Sequence, residues 1–476
     1  MMRIKKKTKI IATIGPSCNS YNNLKRMIIA GVNVCRLNFS HTNHEEASRI
    51  ISIIRKINSE IGSQTAILGD LQGPKIRLGL VKKNTSLKSG ENIYLTNQKG
   101  ESTSKKLCIN YTSLMKDLKI NDLVLIDDGK IKLKVISINQ KTISCNILNG
   151  GRLSSKKGVN LPNTELSFKS ISKKDKKDLN FLIKHEIDWV ALSFVRTSKD
   201  ILELRNILNR KKSAIKIIAK IEKPEAVKNI KSITRSADAI MIARGDLGIE
   251  IPMQKVPIVQ KQIIKLCLSY SKPVVVATQL MEGMIQNAIT TRAETNDVAN
   301  AIFDGADALM LSGETAVGKY PYKVVRAMSK IILSVEASYL QSRTKLMLPQ
   351  KKANNRYISD SICFYACELA DQVQSRAIIT LTHSGYNAQK IASNRPNAFV
   401  YVFTHNKKIL NSLSLFWGIY VFYYDKFHST DETIKDLHAF LKRKKILKSG
   451  QIVINIGSMP IMDKGMTNML KVGKIT

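Results

Sequence analysis

The chain has 476 residues, more than a single hydrophobic core normally serves, so two or three domains are expected. Hydrophobic residues at 43% and charged residues at 24% exclude a disordered or fibrous protein. The formal net charge of +39 invites a nucleic-acid reading, but the lysines run from Lys5 to Lys474 in short clusters (Lys5 to Lys7, Lys173 and Lys174, Lys442 to Lys445), and no aromatic residues interleave them as stacking platforms would. A solvated basic surface is expected, with no specific nucleic acid partner; weak polyanion binding stays open.

At the start, a basic segment leads into IIATIG, which is too short for a signal peptide and runs straight into Gly15 and Pro16. No later stretch approaches the roughly 18 apolar residues of a membrane-spanning helix. Cysteines stand at 18, 35, 108, 145, 267, 363 and 367 without a C-x-x-C pair, which argues against a zinc site or a disulfide framework; Cys363 and Cys367 read as neighbours on one helix. A reducing cytoplasm fits this usage, with no membrane partner.

Along residues 8–71 and 187–313, short β-branched runs alternate with helical patterns. Eight such runs (KIIATIG, VNVCRLNFS, TAILGDL, DWVALSF, IKIIAKIE, DAIMIARG, PVVVATQ and DALMLSG) predict an α/β protein built on a (β/α)8 TIM barrel, whose chemistry would gather at the strand C-terminal ends. Between the third and fourth strands, residues 71–170 lose helical periodicity and show short alternating strands such as ENIYLT, LVLID and KIKLKVISI, which predicts an inserted β domain. After residue 345 comes the polar stretch QSRTKLMLPQKKANN, followed by alternating helices and strands that predict a C-terminal doubly wound α/β domain. The expected domains are 1–70 with 171–345, 71–170, and 346–476.

Side chains at i, i+2 and i+4 of a strand share a face, so Arg36, Asn38 and Ser40 should point together at the end of the second strand. Lys220 and Glu222 repeat that spacing on the fifth strand, where a structural ion pair is the plain alternative. Asp246 follows the sixth strand inside ARGDLG, a glycine-punctuated turn with free backbone N–H groups. Glu222 and Asp246 on adjacent strands offer a carboxylate pair of the kind Mg²⁺ uses, and Arg36 and Lys220 would bracket a phosphoryl group in transfer.

The segments RLNFSH (36–41), ILGDLQGPKIR (67–77), IIAKIE (217–222), MIARGDLGIE (241–250), VVVATQ (274–279), TRAETNDVANA (291–301) and DGADALMLSGETAVGKYP (304–321) resemble, in order and over nearly the whole chain, the pyruvate kinase family of the bacterial QGPKIR type. That resemblance implies phosphoryl transfer from phosphoenolpyruvate to ADP in a barrel carrying an inserted β-barrel lid and a C-terminal regulatory domain, commonly as a homotetramer. It implies Arg36 and Lys220 as phosphate-binding cations, with Lys220 stabilising the transition state, and Glu222 and Asp246 as ligands of Mg²⁺ or Mn²⁺. Gly245 and Asp246 would receive the substrate carboxylate, and Thr278 would stand beside C3 of the enolate. Arg77 and Lys157 would contact nucleotide phosphates, and His41 would lie beside the nucleotide or simply cap a surface turn.

Asn38, Ser40, Asp70 and Leu71 match K⁺ ligands. Position 75 is Lys, whereas K⁺-requiring members commonly carry Glu, so the ammonium is expected to replace K⁺; a solvent-directed lysine is the alternative. Thr382, Ser384 and Gly385 of THSGYNAQ are candidates for a sugar-phosphate or nucleotide effector, with an ordinary N-capping turn as the alternative. A rival barrel enzyme acting on a Mg²⁺-bound enolate, an aldolase or phosphoenolpyruvate mutase, would not need Arg77, Lys157 or the lid. An idle nucleic-acid-binding protein would not need Arg36, Lys220, Glu222, Asp246 and Thr278 together.

Overall fold

The computed structural model describes residues 5–162, 164–339, 356–426, 429–459 and 467–476. The polar stretch QSRTKLMLPQKKANN and the expected boundary at 345/346 lie outside the described residues. Eight parallel strands close into a barrel in the order β1 (Lys9–Thr13), β2 (Val32–Asn38), β3 (Ala66–Asp70), β4 (Trp189–Leu192), β5 (Lys216–Ile221), β6 (Ala239–Ala243), β7 (Val274–Ala277) and β8 (Ala308–Leu311), with β8 paired back onto β1. These are the eight runs expected from the sequence.

The strand period of two divides each strand between two cores. Ile11, Val34, Ala66, Leu68, Trp189, Ala191, Ile218, Met241, Val275 and Ala277 fill the barrel interior. Their neighbours Ile10, Ala12, Cys35, Leu37, Ile67, Val190, Ile217, Ala219, Ile242 and Val276 face the surrounding helices. Continuing the inward set past the apolar layers gives Thr13, Arg36, Asn38, Asp70, Ser193, Lys220 and Glu222, so the chemistry sits where the inward stripe turns polar. Helix starts are written locally. Thr291 and Glu294 form a capping box at the start of helix Arg292–Phe303, and the Asn43 side chain accepts from Glu46 N at the start of His44–Ile61.

The insert between β3 and β4 is a curled six-stranded sheet in the order Val159–Asn160, Leu123–Ile126, Ile131–Ile138, Ile143–Asn149, Asn92–Thr96, Lys106–Cys108. Two two-stranded ribbons accompany it, and it has its own core around Ile93, Leu133, Val135 and Ile147. The chain leaves the barrel through Gly73, whose φ of +70° suits glycine, and an added Cβ would lie 2.9 Å from Phe194 and Ser193 side-chain atoms.

The C-terminal sheet runs Ile419–Tyr423, Phe399–Thr404, Ala377–Leu381, Ile452–Gly457, Met469–Lys474. Four strands are parallel; the last, Met469–Lys474, is an antiparallel edge strand that the sequence reading did not include, because its run MLKVGK offers only a short apolar alternation broken by glycine and lysines. Cys363 and Cys367 are buried on helix Tyr357–Gln372. Among the described residues, no helix is long and apolar enough to cross a membrane.

One expectation about charge is corrected. Within and just beyond the run Lys5 to Lys7, read as solvated, Lys6, Lys7 and Lys9 are buried, each no more than 2% exposed. Lys9 Nζ donates to Ile419 O (2.7 Å), and Lys7 Nζ donates to Pro396 O (3.0 Å) and Asn397 O (2.6 Å). These ammonium groups tie the bottom of the barrel to the C-terminal domain, where carbonyl oxygens satisfy their charge. Trp189 Nε1 to Ser412 O (3.1 Å) and the Arg395–Asp307 ion pair (2.9 Å) join the same surfaces.

Candidate active site

At the barrel mouth, Asp70 on β3 stands between two cations. Its Oδ2 accepts from Arg36 Nε at 2.8 Å, and its Oδ1 lies 3.4 Å from Lys220 Nζ. Arg36 Nη1 also donates to Thr13 Oγ1 over 2.8 Å. Lys220 Nζ reaches Glu222 Oε1 at 2.9 Å and Ser193 Oγ at 2.8 Å. Burial acts to discharge Lys220, but Asp70 and Glu222 outweigh it and hold the ammonium above its usual range. Burial would likewise raise Asp70, yet Lys220 and Arg36 keep it below the ordinary carboxylate value.

Glu222 differs from Asp70. Burial pushes its carboxyl up, and the nearby charge of Asp246 adds to that against the opposing pull of Lys220. Glu222 Oε2 accepts from Phe194 N at 2.6 Å, and Phe194 has φ +54°. The charge of Asp246 makes ionisation of Glu222 costlier, and two carboxylates at one polar mouth form a donor set suited to a divalent cation, which would relieve their repulsion. Asp246 lies in the first turn of helix Arg244–Glu250, which starts directly after β6; the expected glycine turn is the opening of this short helix.

Thr278 follows β7 with φ +69°, and Gln279 follows it with φ +54°. Such backbone in a β-branched residue costs about 1–3 kcal/mol and persists only where surroundings enforce it. Two groups enforce it here. Gly245 N donates to Thr278 Oγ1 at 2.7 Å, and Arg244 Nη2 donates to Thr278 O at 2.8 Å while the same guanidinium grips Asp297 through two 2.7 Å bonds.

The inserted domain brings Arg77 and Lys157, 80 positions apart in sequence, side by side through an Arg77↔Gly158 bridge. Arg77 Nη1 donates to Lys156 O at 3.1 Å, and Lys157 Nζ pairs with Asp127 Oδ1 at 2.8 Å. A cleft between insert and barrel is lined by Lys75, Asp128, Asn160, Phe194, Asp246 and Glu250, among others.

Residues 5–325 match the family described as pyruvate kinase, barrel domain, and residues 360–473 match pyruvate kinase, alpha/beta domain. The chain belongs to the pyruvate kinase family. It is 40% identical to pyruvate kinase of Geobacillus stearothermophilus over 99% of this chain and 81% of the relative. It is 39% identical to that of Staphylococcus aureus over 98% and 80%. A crystal structure of a pyruvate kinase from Cryptosporidium parvum superposes with a TM-score of 0.91 at 33% identity, covering 99% of this chain and 96% of that one. The pyruvate kinase reaction makes it a phosphotransferase, moving the phosphoryl group of phosphoenolpyruvate to ADP to give pyruvate and ATP.

Other pyruvate kinase positions lie as follows. Ser40 is not on β2, which ends at Asn38; it sits in the following turn, where Ser40 N donates to Asn38 Oδ1 at 3.1 Å. The shared strand face expected for it is thus replaced by a side-chain turn that brings Asn38 and Ser40 together. Leu71 O accepts from Ser193 Oγ at 2.8 Å. Lys75 is exposed on the cleft, and His41 is exposed at the end of the Asn38 turn. In the C-terminal domain, Gly385 (φ +85°) is the N-cap of helix Tyr386–Ser393; its N–H donates to Thr382 Oγ1 at 3.0 Å, and Ser384 Oγ accepts from Tyr386 N at 3.4 Å. Both hydroxyls thus accept from N–H groups of the turn that opens this helix.

Sequence reading missed Ser193 and the Arg244–Asp297 brace. Ser193 ends the inward stripe of β4 and was open to the same period-two argument as Lys220. Arg244 and Asp297 lie inside quoted motifs, but nothing local says that they meet.

Proposed function

We propose that phosphoryl transfer in this pyruvate kinase is carried by Arg36, Lys220 and Thr278 at the barrel mouth. The observation that carries the reading is the buried, charged Lys220, flanked by Asp70, Glu222 and Ser193, with Arg36 across the same Asp70. Two fixed cations on either side of one carboxylate at the barrel mouth match the negative charge that spreads over the transferring group. In the step, the bond between phosphorus and the enol oxygen breaks, a bond to the ADP terminal oxygen forms, and C3 of the enolate gains a proton. Gly245 and Asp246 receive the substrate carboxylate. Thr278, with its hydroxyl fixed by Gly245 N, relays the proton to C3 through water, since a hydroxyl is a poor acid unaided.

Glu222 and Asp246 would hold Mg²⁺ or Mn²⁺, which when bound supplies charge neutralisation between substrate oxygens. Arg77 and Lys157 bind nucleotide phosphates when the lid closes and excludes water, with His41 beside the nucleotide. Lys75 supplies the charge that K⁺ would bring to Asn38, Ser40, Asp70 and Leu71. An effector phosphate at Thr382, Ser384 and Gly385, a homotetramer and a cytoplasmic location complete the proposal.

The test is pyruvate formation from phosphoenolpyruvate and ADP, with and without Mg²⁺, in wild type and in variants of Glu222 and Asp246. Full activity in the double variant Glu222→Gln, Asp246→Asn would refute the metal assignment.

A further inference from the structure

Asn160, three residues past Lys157 on the returning strand of the lid, donates through Nδ2 to Glu250 Oε1 over 2.7 Å. Lys223 Nζ donates to the same oxygen over 2.8 Å. The Glu250 side chain is 0% exposed, and its buried Oε2 has no hydrogen-bond partner. Each of the three residues adjoins a part of the site. Glu250 ends the helix that begins with Arg244, Gly245 and Asp246, Lys223 follows Glu222, and Asn160 belongs to the strand Val159–Asn160 that follows Lys157.

A carboxylate buried with one oxygen unpaired is costly. Glu250 is not in the position of the reacting groups, and an apolar residue would cap the helix end more cheaply. What the carboxylate provides is a charge-assisted bond across the gap between lid and barrel, directional in a way that apolar contact is not. The same edge of the lid carries the turn Asp127, Asp128, Gly129, with φ of +53°, +57° and +83°. A Cβ on Gly129 would sit 4.0 Å from Ile249, and Asp127 of this turn holds Lys157.

We propose that Glu250 is a positioning residue for nucleotide binding: it fixes the lid strand Val159–Asn160, which directly follows Lys157, against the helix that bears Asp246. This rests on the assignment of Lys157 to the nucleotide phosphates. With the bond in place, the height and angle of the segment that runs from Lys157 into this strand are set before ADP arrives. Without it, nucleotide binding must itself order the lid, and affinity falls. Phosphoenolpyruvate, held by barrel residues alone, is indifferent to the bond.

The experiment compares full-length wild type, N160D, N160A and the exchange N160D/E250Q, which swaps amide and carboxylate and so restores one donor and one acceptor across the gap. N160D, which sets two carboxylates against each other, raises KM for ADP by about tenfold, the factor that a lost charge-assisted bond represents. KM for phosphoenolpyruvate stays within about twofold by the same reckoning, kcat changes less than KM for ADP, and the exchange returns KM for ADP to within about threefold of wild type. N160A shows a smaller rise in the same direction. An unchanged or lowered KM for ADP in N160D and N160A, or an exchange no better than N160D, overturns the inference. Lys157→Met is the control on the reading beneath it: if calorimetric binding of ADP with Mg²⁺ is the same as in wild type, the assignment of Lys157 to the nucleotide phosphates itself fails.

Discussion

Lys220 Nζ and Glu222 Oε1 lie 2.9 Å apart at the end of β5, so one strand delivers to the same point the cation proposed to bind phosphate and the carboxylate proposed to bind the metal. Because Asp70 also faces Lys220 at 3.4 Å, the ammonium is held charged in a buried setting and needs no reorganisation as charge develops during transfer. Lys220→Met keeps the bulk and removes the charge. We expect kcat for pyruvate formation to fall on the order of 10³-fold, with the far-ultraviolet circular dichroism spectrum unchanged. Loss of only a few-fold would remove Lys220 from phosphoryl transfer.

Thr278 is held in left-handed backbone by its hydroxyl and carbonyl partners. Thr278→Ser keeps the hydroxyl and is expected to retain activity within a few-fold. Thr278→Ala removes it and should lower kcat by about 10²-fold, the usual worth of a positioned proton relay. Equal activity in the two variants would assign Thr278 a backbone role only.

Lys75, exposed on the lid–barrel cleft, is expected to make K⁺ dispensable. Wild type should keep its rate when K⁺ is replaced by a large organic cation, and Lys75→Glu should become K⁺-dependent. A many-fold loss in the wild type without K⁺ would refute the substitution of one cation by the other.

Asp188 precedes β4 at the bottom of the barrel and accepts from Ile67 N at 2.8 Å. Burial pushes its carboxyl up to about 7. Between its ordinary value near 4 and that pH, the native state keeps a proton that the unfolded chain has released. Its stabilising contribution is therefore complete below about pH 4 and is lost as pH rises through 7. Asp188→Asn, which cannot titrate, should abolish this part of the pH dependence, so wild type weakens relative to the variant from pH 5 to 7.5 in urea unfolding. A stability difference independent of pH would exclude the titration.

Much of this protein was legible in its sequence because the signals are local. A strand announces itself by period two, and the same period says which side chains continue the inward face beyond the apolar layer; Arg36, Asn38, Lys220 and Glu222 were found that way. Helix starts such as Thr291 with Glu294 are likewise written within four residues. Tertiary structure decided what depends on strand order and closure. Only the closed barrel sets Asp70 between Arg36 and Lys220, and only the curled insert brings Arg77 beside Lys157. Only domain docking gives the buried Lys7 and Lys9 their partners, which a sequence reader misses because those backbone carbonyls, hundreds of residues away, leave no mark near the lysines. The sequence by itself determined which groups face the mouth; the fold decided which of them meet, because hydrogen bonds and ion pairs depend on distances across strands and domains that local periodicity does not encode.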